Sequence, residues 1–198
     1  MAINSSIGNV TGVILAGGKS SRYGRNKALE EINGIRLIER IIDLIRPVFH
    51  RLIIITNTPH EYAYLQLPMC EDLIKGLGPL GGIYTGLQAI SDGAGFFVAC
   101  DMPFLNIELI RHLVKLRDDF DAVVPRIDWK IETLHTLYGK QCLLPIKELI
   151  DAGECQIIRL FHKIRVRYVD EEEIRGFDPQ LRSFFNINRP QDLLSTAG

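Results

Sequence analysis

The first residues able to do chemistry lie together between Leu15 and Lys27, in the run Leu15-Ala16-Gly17-Gly18-Lys19-Ser20-Ser21-Arg22-Tyr23-Gly24-Arg25-Asn26-Lys27. Small residues let the backbone approach an anion closely, and successive N–H groups form a concavity that binds one. Lys19, Arg22, Arg25 and Lys27 place four cations within nine residues, the local charge a triphosphate requires. Neither common phosphate-binding spacing fits. A P-loop needs Gly-x4-Gly-Lys-Ser/Thr, whereas five residues separate Gly18 from Gly24 and Arg25 follows it; no glycine triplet fits Gly-x-Gly-x-x-Gly. Asp101, in Cys100-Asp101-Met102-Pro103, directly follows an apolar run. A carboxylate there suits magnesium, which takes one or two carboxylates together with phosphate oxygens and water. Asp72 precedes the glycine-bracketed turn Gly78-Pro79-Leu80-Gly81-Gly82, whose backbone groups can reach a base edge while the Asp72 carboxylate accepts from base or ribose donors.

These residues need elements to hold them. Residues 10–15, 52–56, 96–100, 121–125 and 166–169 are short apolar runs rich in β-branched or aromatic side chains, as strands buried on both faces should be. Between them, residues 35–46, 81–90, 107–116 and 142–152 repeat apolar side chains near a period of 3.6, and a short final helix is expected from Gln191 onward behind Pro190. Alternating strands and helices predict an α/β fold: three layers, Rossmann-like, a mostly parallel sheet with helices on both faces. Ligands of such sheets bind beyond the carboxyl ends of the strands, which is where the Gly-rich run and Asp101 fall. Residues 1–9 read as a flexible N-terminal extension and 10–198 as a single domain.

Composition narrows the partners. The chain has 198 residues, 46% hydrophobic and 24% charged, with a formal net charge of -1, which gives no electrostatic case for nucleic acid or an anionic membrane. Four scattered cysteines, without zinc or disulfide spacing, read as reduced thiols of a soluble cytoplasmic protein. His135 reads as a structural histidine in a strand-like run. Trp129, beside Asp128 and Lys130, reads as a loop tip more than a stacking platform, and the acidic run 170–173 as a solvated helix start.

The order of these motifs resembles the nucleotidyltransferase signature Leu-Ala-Gly/Ala-Gly, Ser-x-Arg-Met-Gly, Lys. Ala16-Gly17-Gly18 places the chain nearest the molybdenum cofactor guanylyltransferase (MobA) family. Gly78 to Gly82, Cys100-Asp101-Met102-Pro103 and the ending Asn186-Ile187-Asn188-Arg189-Pro190-Gln191-Asp192-Leu193 resemble further elements of that family. The resemblance implies a nucleotide-diphospho-sugar transferase-type fold and GMP transfer from GTP to molybdenum-molybdopterin, forming the guanine dinucleotide cofactor and pyrophosphate. It implies Lys27, Arg22 and Asp101 as catalytic residues, Asp101 as the Mg2+ ligand, and Asn188 beside the metal or the acceptor. GTP binding is implied for Leu15, Ala16, Gly17, Gly18, Lys27, Asp72, Gly81, Gly82 and Asp101. Cofactor-delivery proteins and molybdoenzymes are the implied protein partners. Alternatives are a related enzyme using CTP or a sugar phosphate, and a non-catalytic nucleotide-binding protein. Two positions depart from the family pattern: Tyr23 stands for Met, and Asn26 for the Asp before the lysine, so any charge partner of Lys27 must come from elsewhere. Residues 132–138 match the family's acceptor-side segment only loosely.

Overall fold

A computed structural model describes residues 8–17 and 26–187. The expectations placed on Gly18, Arg22, Tyr23, Asn188, the final helix and most of the N-terminal extension lie outside the described residues. Strand β1 (Val10–Leu15) leads past Asn26 to the small antiparallel pair β2 (Glu31–Ile32) and β3 (Ile35–Arg36) and to helix α1 (Leu37–Ile45). Then come β4 (Leu52–Ile55), β5 (Met69–Cys70), α2 (Pro79–Ala89), β6 (Ala94–Ala99) and α3 (Ile107–Lys115). The chain continues through β7 (Ala122–Ile127), β8 (Lys130–Ile131), β9 (His135–Gly139), α4 (Leu143–Asp151), β10 (Val166–Asp170) and α5 (Glu171–Arg175).

The main sheet has the order β10-β7-β9-β6-β1-β4-β5, with β8 paired to β7. β1 lies parallel to both β4 and β6, and β10 parallel to β7. Alternate side chains of each central strand enter opposite cores, as a period of two demands. Ile14, Ile54, Phe96 and Val98 meet Ile38, Ile41 and Ile45 of α1 and Leu109, Ile110 and Leu113 of α3 on one face. Val13, Leu15, Ile53, Ile55 and Phe97 meet Leu80, Ile83 and Leu87 of α2 and Ile146 and Leu149 of α4 on the other. The sheet is therefore sandwiched between two helical layers, and the three-layer expectation holds.

β8 and β9 both run antiparallel to β7, and β9 sits between β6 and β7 and opposes both. A parallel return from β7 would need a helical crossover; here the chain turns at Asp128 and Trp129, runs back as β8 and passes directly into β9. Asp128 takes φ 52°, which closes that tight turn, and Trp129 stands at the tip, 89% exposed. The acidic run starts a helix as expected, with Asp170 at the N-cap position of α5 and its carboxylate accepting from Arg126 Nε at 2.7 Å instead of capping the first turn. Among the described residues no helix is long and apolar enough to cross a membrane.

Candidate active site

The carboxyl ends of β1, β4, β5 and β6 share one edge of the sheet. Beyond β1, Ala16 N–H donates to the Ile55 carbonyl at 2.9 Å, and Cys100 N–H donates to the Leu15 carbonyl at 3.1 Å. The Gly-rich run and Asp101 thus begin side by side. A Cβ on Gly17 would meet, among the described residues, only the Ile55 carbonyl oxygen at 3.9 Å, an ordinary contact. No described residue demands a glycine there, and the room they leave over the backbone suits an approaching phosphate.

Asn26 turns out to anchor the loop's far end. Its side chain accepts from Ala28 N–H at 3.1 Å, capping the 3-10 turn Lys27–Leu29. Its Nδ2 donates to Glu61 Oε2 at 2.8 Å and to the buried Tyr62 hydroxyl at 2.7 Å. That hydroxyl lies 3.5 Å from the Ala16 carbonyl oxygen. The departure from Asp therefore has a physical reason. A carboxylate could not donate to Glu61 and would repel it, and the hydrogen bonds from Thr58 and then Asn26 hold the Glu61 carboxyl below its usual range.

Lys27 and Asp101 are brought together by Ile187. Lys27 Nζ donates to the Ile187 carbonyl at 3.4 Å, and Ile187 N–H donates to the Asp101 carbonyl at 2.9 Å. Burial raises the Asp101 carboxyl above the ordinary range, and the Lys27 charge opposes that rise. Asn26 cannot supply a charge to Lys27, and Asp101 is a carboxylate on which the Lys27 charge acts. Neighbouring Cys100 is pushed up to about 12 by burial, then by Asp101, so its thiol stays protonated and is no nucleophile.

Asp72 sits on the segment after β5. Its Oδ2 accepts from Asn57 Nδ2 at 2.7 Å, and its N–H donates to Asn57 Oδ1 at 3.2 Å, so the two residues clamp each other across the ends of β4 and β5. Leu73 N–H donates to Thr85 Oγ1 at 3.0 Å, tying the same segment to α2. Gly78, at φ 56° and ψ -141°, opens α2 in a conformation only glycine adopts readily, and no side chain caps the first turn. Gly81 and Gly82 are buried. A Cβ on Gly81 would meet the Ile74 carbonyl oxygen and Leu77 Cβ at 3.1 Å, and one on Gly82 would meet Leu15 Cδ2 at 3.3 Å. Both serve close packing of the helix against the Asp72 segment and β1, a role their sequence pattern did not reveal.

For a metal, the described residues offer the half-buried Asp101 carboxylate just beyond β6. No group of three or more His, Cys, Asp or Glu residues fit to hold a metal occurs among the described residues. A half-buried carboxylate whose charged form burial disfavours fits a hard cation that draws its other ligands from phosphates and water. His135 stands apart from all this. It is fully buried, with Phe96 at 5.3 Å and Phe184 at 4.9 Å between ring centroids. Neither ring nitrogen has a hydrogen-bond partner among the described residues, and desolvation drops its pKa to about 3. It is structural, as its sequence context suggested.

Sequence reasoning missed Ile187 as a bridge, since only its peptide group acts, and missed the aromatic wall of Phe104 and Phe185, whose ring centroids lie 6.1 Å apart.

Comparison with known proteins agrees with this geometry. The family model for the MobA-like NTP transferase domain matches residues 12–168. The chain is 38% identical over 184 residues to a protein named probable molybdenum cofactor guanylyltransferase from Pelotomaculum thermopropionicum, covering 93% of this chain and 90% of that one. It is 37% identical over 186 residues to the molybdenum cofactor guanylyltransferase of Desulfosudis oleivorans, covering 93% and 92%. The crystal structure of molybdopterin-guanine dinucleotide biosynthesis protein A from Archaeoglobus fulgidus superposes with a TM-score of 0.81 at 29% identity, over 93% of this chain and 95% of that one. A 4-diphosphocytidyl-2C-methyl-D-erythritol synthase from Anaerococcus prevotii shares the fold, with a TM-score of 0.71 at 14% identity over 94% and 93%. By the extent of these matches, the chain belongs to the MobA-like NTP transferase family and is a nucleotidyltransferase.

Proposed function

We propose that this chain transfers GMP from GTP to the terminal phosphate of molybdenum-molybdopterin, giving the molybdopterin guanine dinucleotide and pyrophosphate. The observation that carries the reading is the joining of Lys27 and Asp101 through Ile187 at the carboxyl edge of the sheet, in a chain whose relatives are named molybdenum cofactor guanylyltransferases.

An oxygen of the acceptor phosphate attacks the α-phosphorus of GTP. A new P–O bond forms, the bond to the β-phosphate bridge breaks, and pyrophosphate leaves with the electron pair. The acceptor phosphate is already ionised at neutral pH, so no general base is needed. Catalysis then rests on positioning and on neutralising the charge that crowds the α-phosphorus. Lys27 supplies one fixed cation, and Arg22, from the same Gly-rich loop, is assigned a second. Asp101 is assigned as the ligand of Mg2+, which when bound contributes charge neutralisation at the phosphate oxygens. Backbone groups at Ala16, Gly17 and Gly18 cradle the phosphates, Asn188 is assigned to the metal or acceptor side, and the Asp72 carboxylate is assigned to the guanine or ribose donors. The Asn57 clamp supports that last role by holding the carboxylate at the mouth of β4 and β5. The reaction is assigned to the cytoplasm, where cysteines that form no disulfide would stay reduced.

A thermal-shift titration with Mg2+ tests nucleotide choice. GTP should raise Tm and CTP should not; stabilisation by CTP alone would contradict the guanine assignment.

A further inference from the structure

Beside the nucleotide residues lies a cavity of about 540 Å3 that none of them lines; its walls include Phe104, Asp128, Trp129, Arg182, Phe184 and Phe185. It adjoins the reaction centre through the chain itself. Phe104 lies three residues beyond Asp101, and Phe185 two residues before Ile187, whose N–H is bonded to the Asp101 carbonyl.

The walls divide into three chemistries. Phe104 and Phe185 form an aromatic pair tilted at 51°. The Arg182 guanidinium lies 4.5 Å from the Phe104 ring centroid, and no carboxylate pairs with it among the described residues. At the other end, the turn between β7 and β8 presents Trp129 and the exposed Asp128, whose carboxylate has no cation partner among the described residues. Lys130 and Glu132, also at this wall, neutralise each other at 2.6 Å.

We propose that this cavity is the acceptor site and takes a pterin carrying a phosphate, an assignment that rests on the guanylyl-transfer reading above. The heterocycle stacks against Trp129 and Phe185, while Phe104 carries the Arg182 and Arg40 guanidinium groups over its ring. Asp128 accepts from the adjacent N–H groups of its aminopyrimidinone edge, a paired-donor pattern that a carboxylate matches. Arg182 receives the phosphate beside Phe104, three residues beyond Asp101 in the chain, its planar donors suiting that group better than a point charge would. The unpaired acid at the outer end also repels a triphosphate, so the cavity separates acceptor from nucleotide.

Trp129 is the single tryptophan, so its emission reports occupancy. Neopterin 3′-monophosphate titrated into the full chain, with free N-acetyltryptophanamide as the absorbance control, should quench Trp129 saturably. Unphosphorylated neopterin should bind about tenfold more weakly, the worth of one charge-assisted contact. Arg182→Gln should abolish that preference while leaving GTP affinity by calorimetry unchanged, and Asp128→Asn should weaken both pterins alike. An unchanged phosphate preference in Arg182→Gln, or displacement of the pterin by GTP, overturns the site. Guanylyl transfer to molybdopterin is measured alongside. Transfer without a Trp129 response overturns the pterin site alone, a Trp129 response without transfer overturns the reaction alone, and the absence of both overturns both.

Discussion

Lys27 and Asp101 are held on opposite sides of one residue, the side chain of the first donating to the Ile187 carbonyl at 3.4 Å and the backbone of the second accepting from the Ile187 N–H at 2.9 Å. The segment after β1, the loop after β6 and the chain's last described segment therefore meet at a single residue. Charge and geometry at the proposed reaction centre are set by backbone hydrogen bonds, so side-chain changes there should separate activity from stability.

Lys27→Met keeps the length of the side chain and removes its charge. The rate of guanylyl transfer should fall about 100- to 1,000-fold, the usual loss for one preorganised electrostatic contact. Tm should fall far less than the rate, and the hydrogen bond to Ile187 that the variant gives up is long and only part-buried. Single-turnover kinetics and a melting curve on the same preparation check both halves.

Asp101→Asn should act in the opposite sense on stability. Burial raises the Asp101 carboxyl, so the folded state disfavours its charged form; a neutral amide of the same shape should hold or raise Tm without metal. Mg2+ with GTP should stabilise the unaltered protein and lose that effect in the variant, along with transfer. A variant that kept Mg2+-dependent stabilisation would remove the metal assignment.

Restoring the family's acid with Asn26→Asp should harm this chain. It deletes the donors to Glu61 and Tyr62 and sets two carboxylates against each other. A loss of about 1–3 kcal/mol is expected from the unsatisfied part-buried groups. Adding Glu61→Gln should recover much of it in urea titrations, and a double variant no better than the single one would show that the carboxylate clash is not the cause.

His135 should make the fold acid-sensitive. Its folded pKa is about 3 against the ordinary 6.5 of a histidine, so between those limits the unfolded chain binds a proton that the folded chain excludes. Stability should then fall by about 1.4 kcal/mol per pH unit as pH drops through that window. His135→Leu should flatten this slope in urea titrations at pH 7 and pH 5, and an unchanged slope would assign the acid sensitivity to other groups.

Much of this architecture was legible because buried parallel strands announce themselves as unbroken apolar runs such as Leu52–Ile55, and strand ends then locate Gly17 and Asp101. β9 was harder to place. His135 and Thr136 are polar residues in a fully buried strand, and its antiparallel direction follows from a tight turn at Asp128 rather than from its own pattern. The packing duty of Gly81 and Gly82 and the bridging peptide of Ile187 depend on tertiary approach, which no side-chain type encodes. Asn26 read as a weakness of the motif until Glu61 and Tyr62, distant in sequence, stood beside it.

The central claim is the reaction itself, and product mass tests it most directly. Incubated with Mg2+, GTP and molybdenum-molybdopterin, the protein should yield the guanine dinucleotide and one pyrophosphate per product, with none from CTP. A cytidine dinucleotide as the sole product, or GTP left intact in the presence of acceptor, would contradict it.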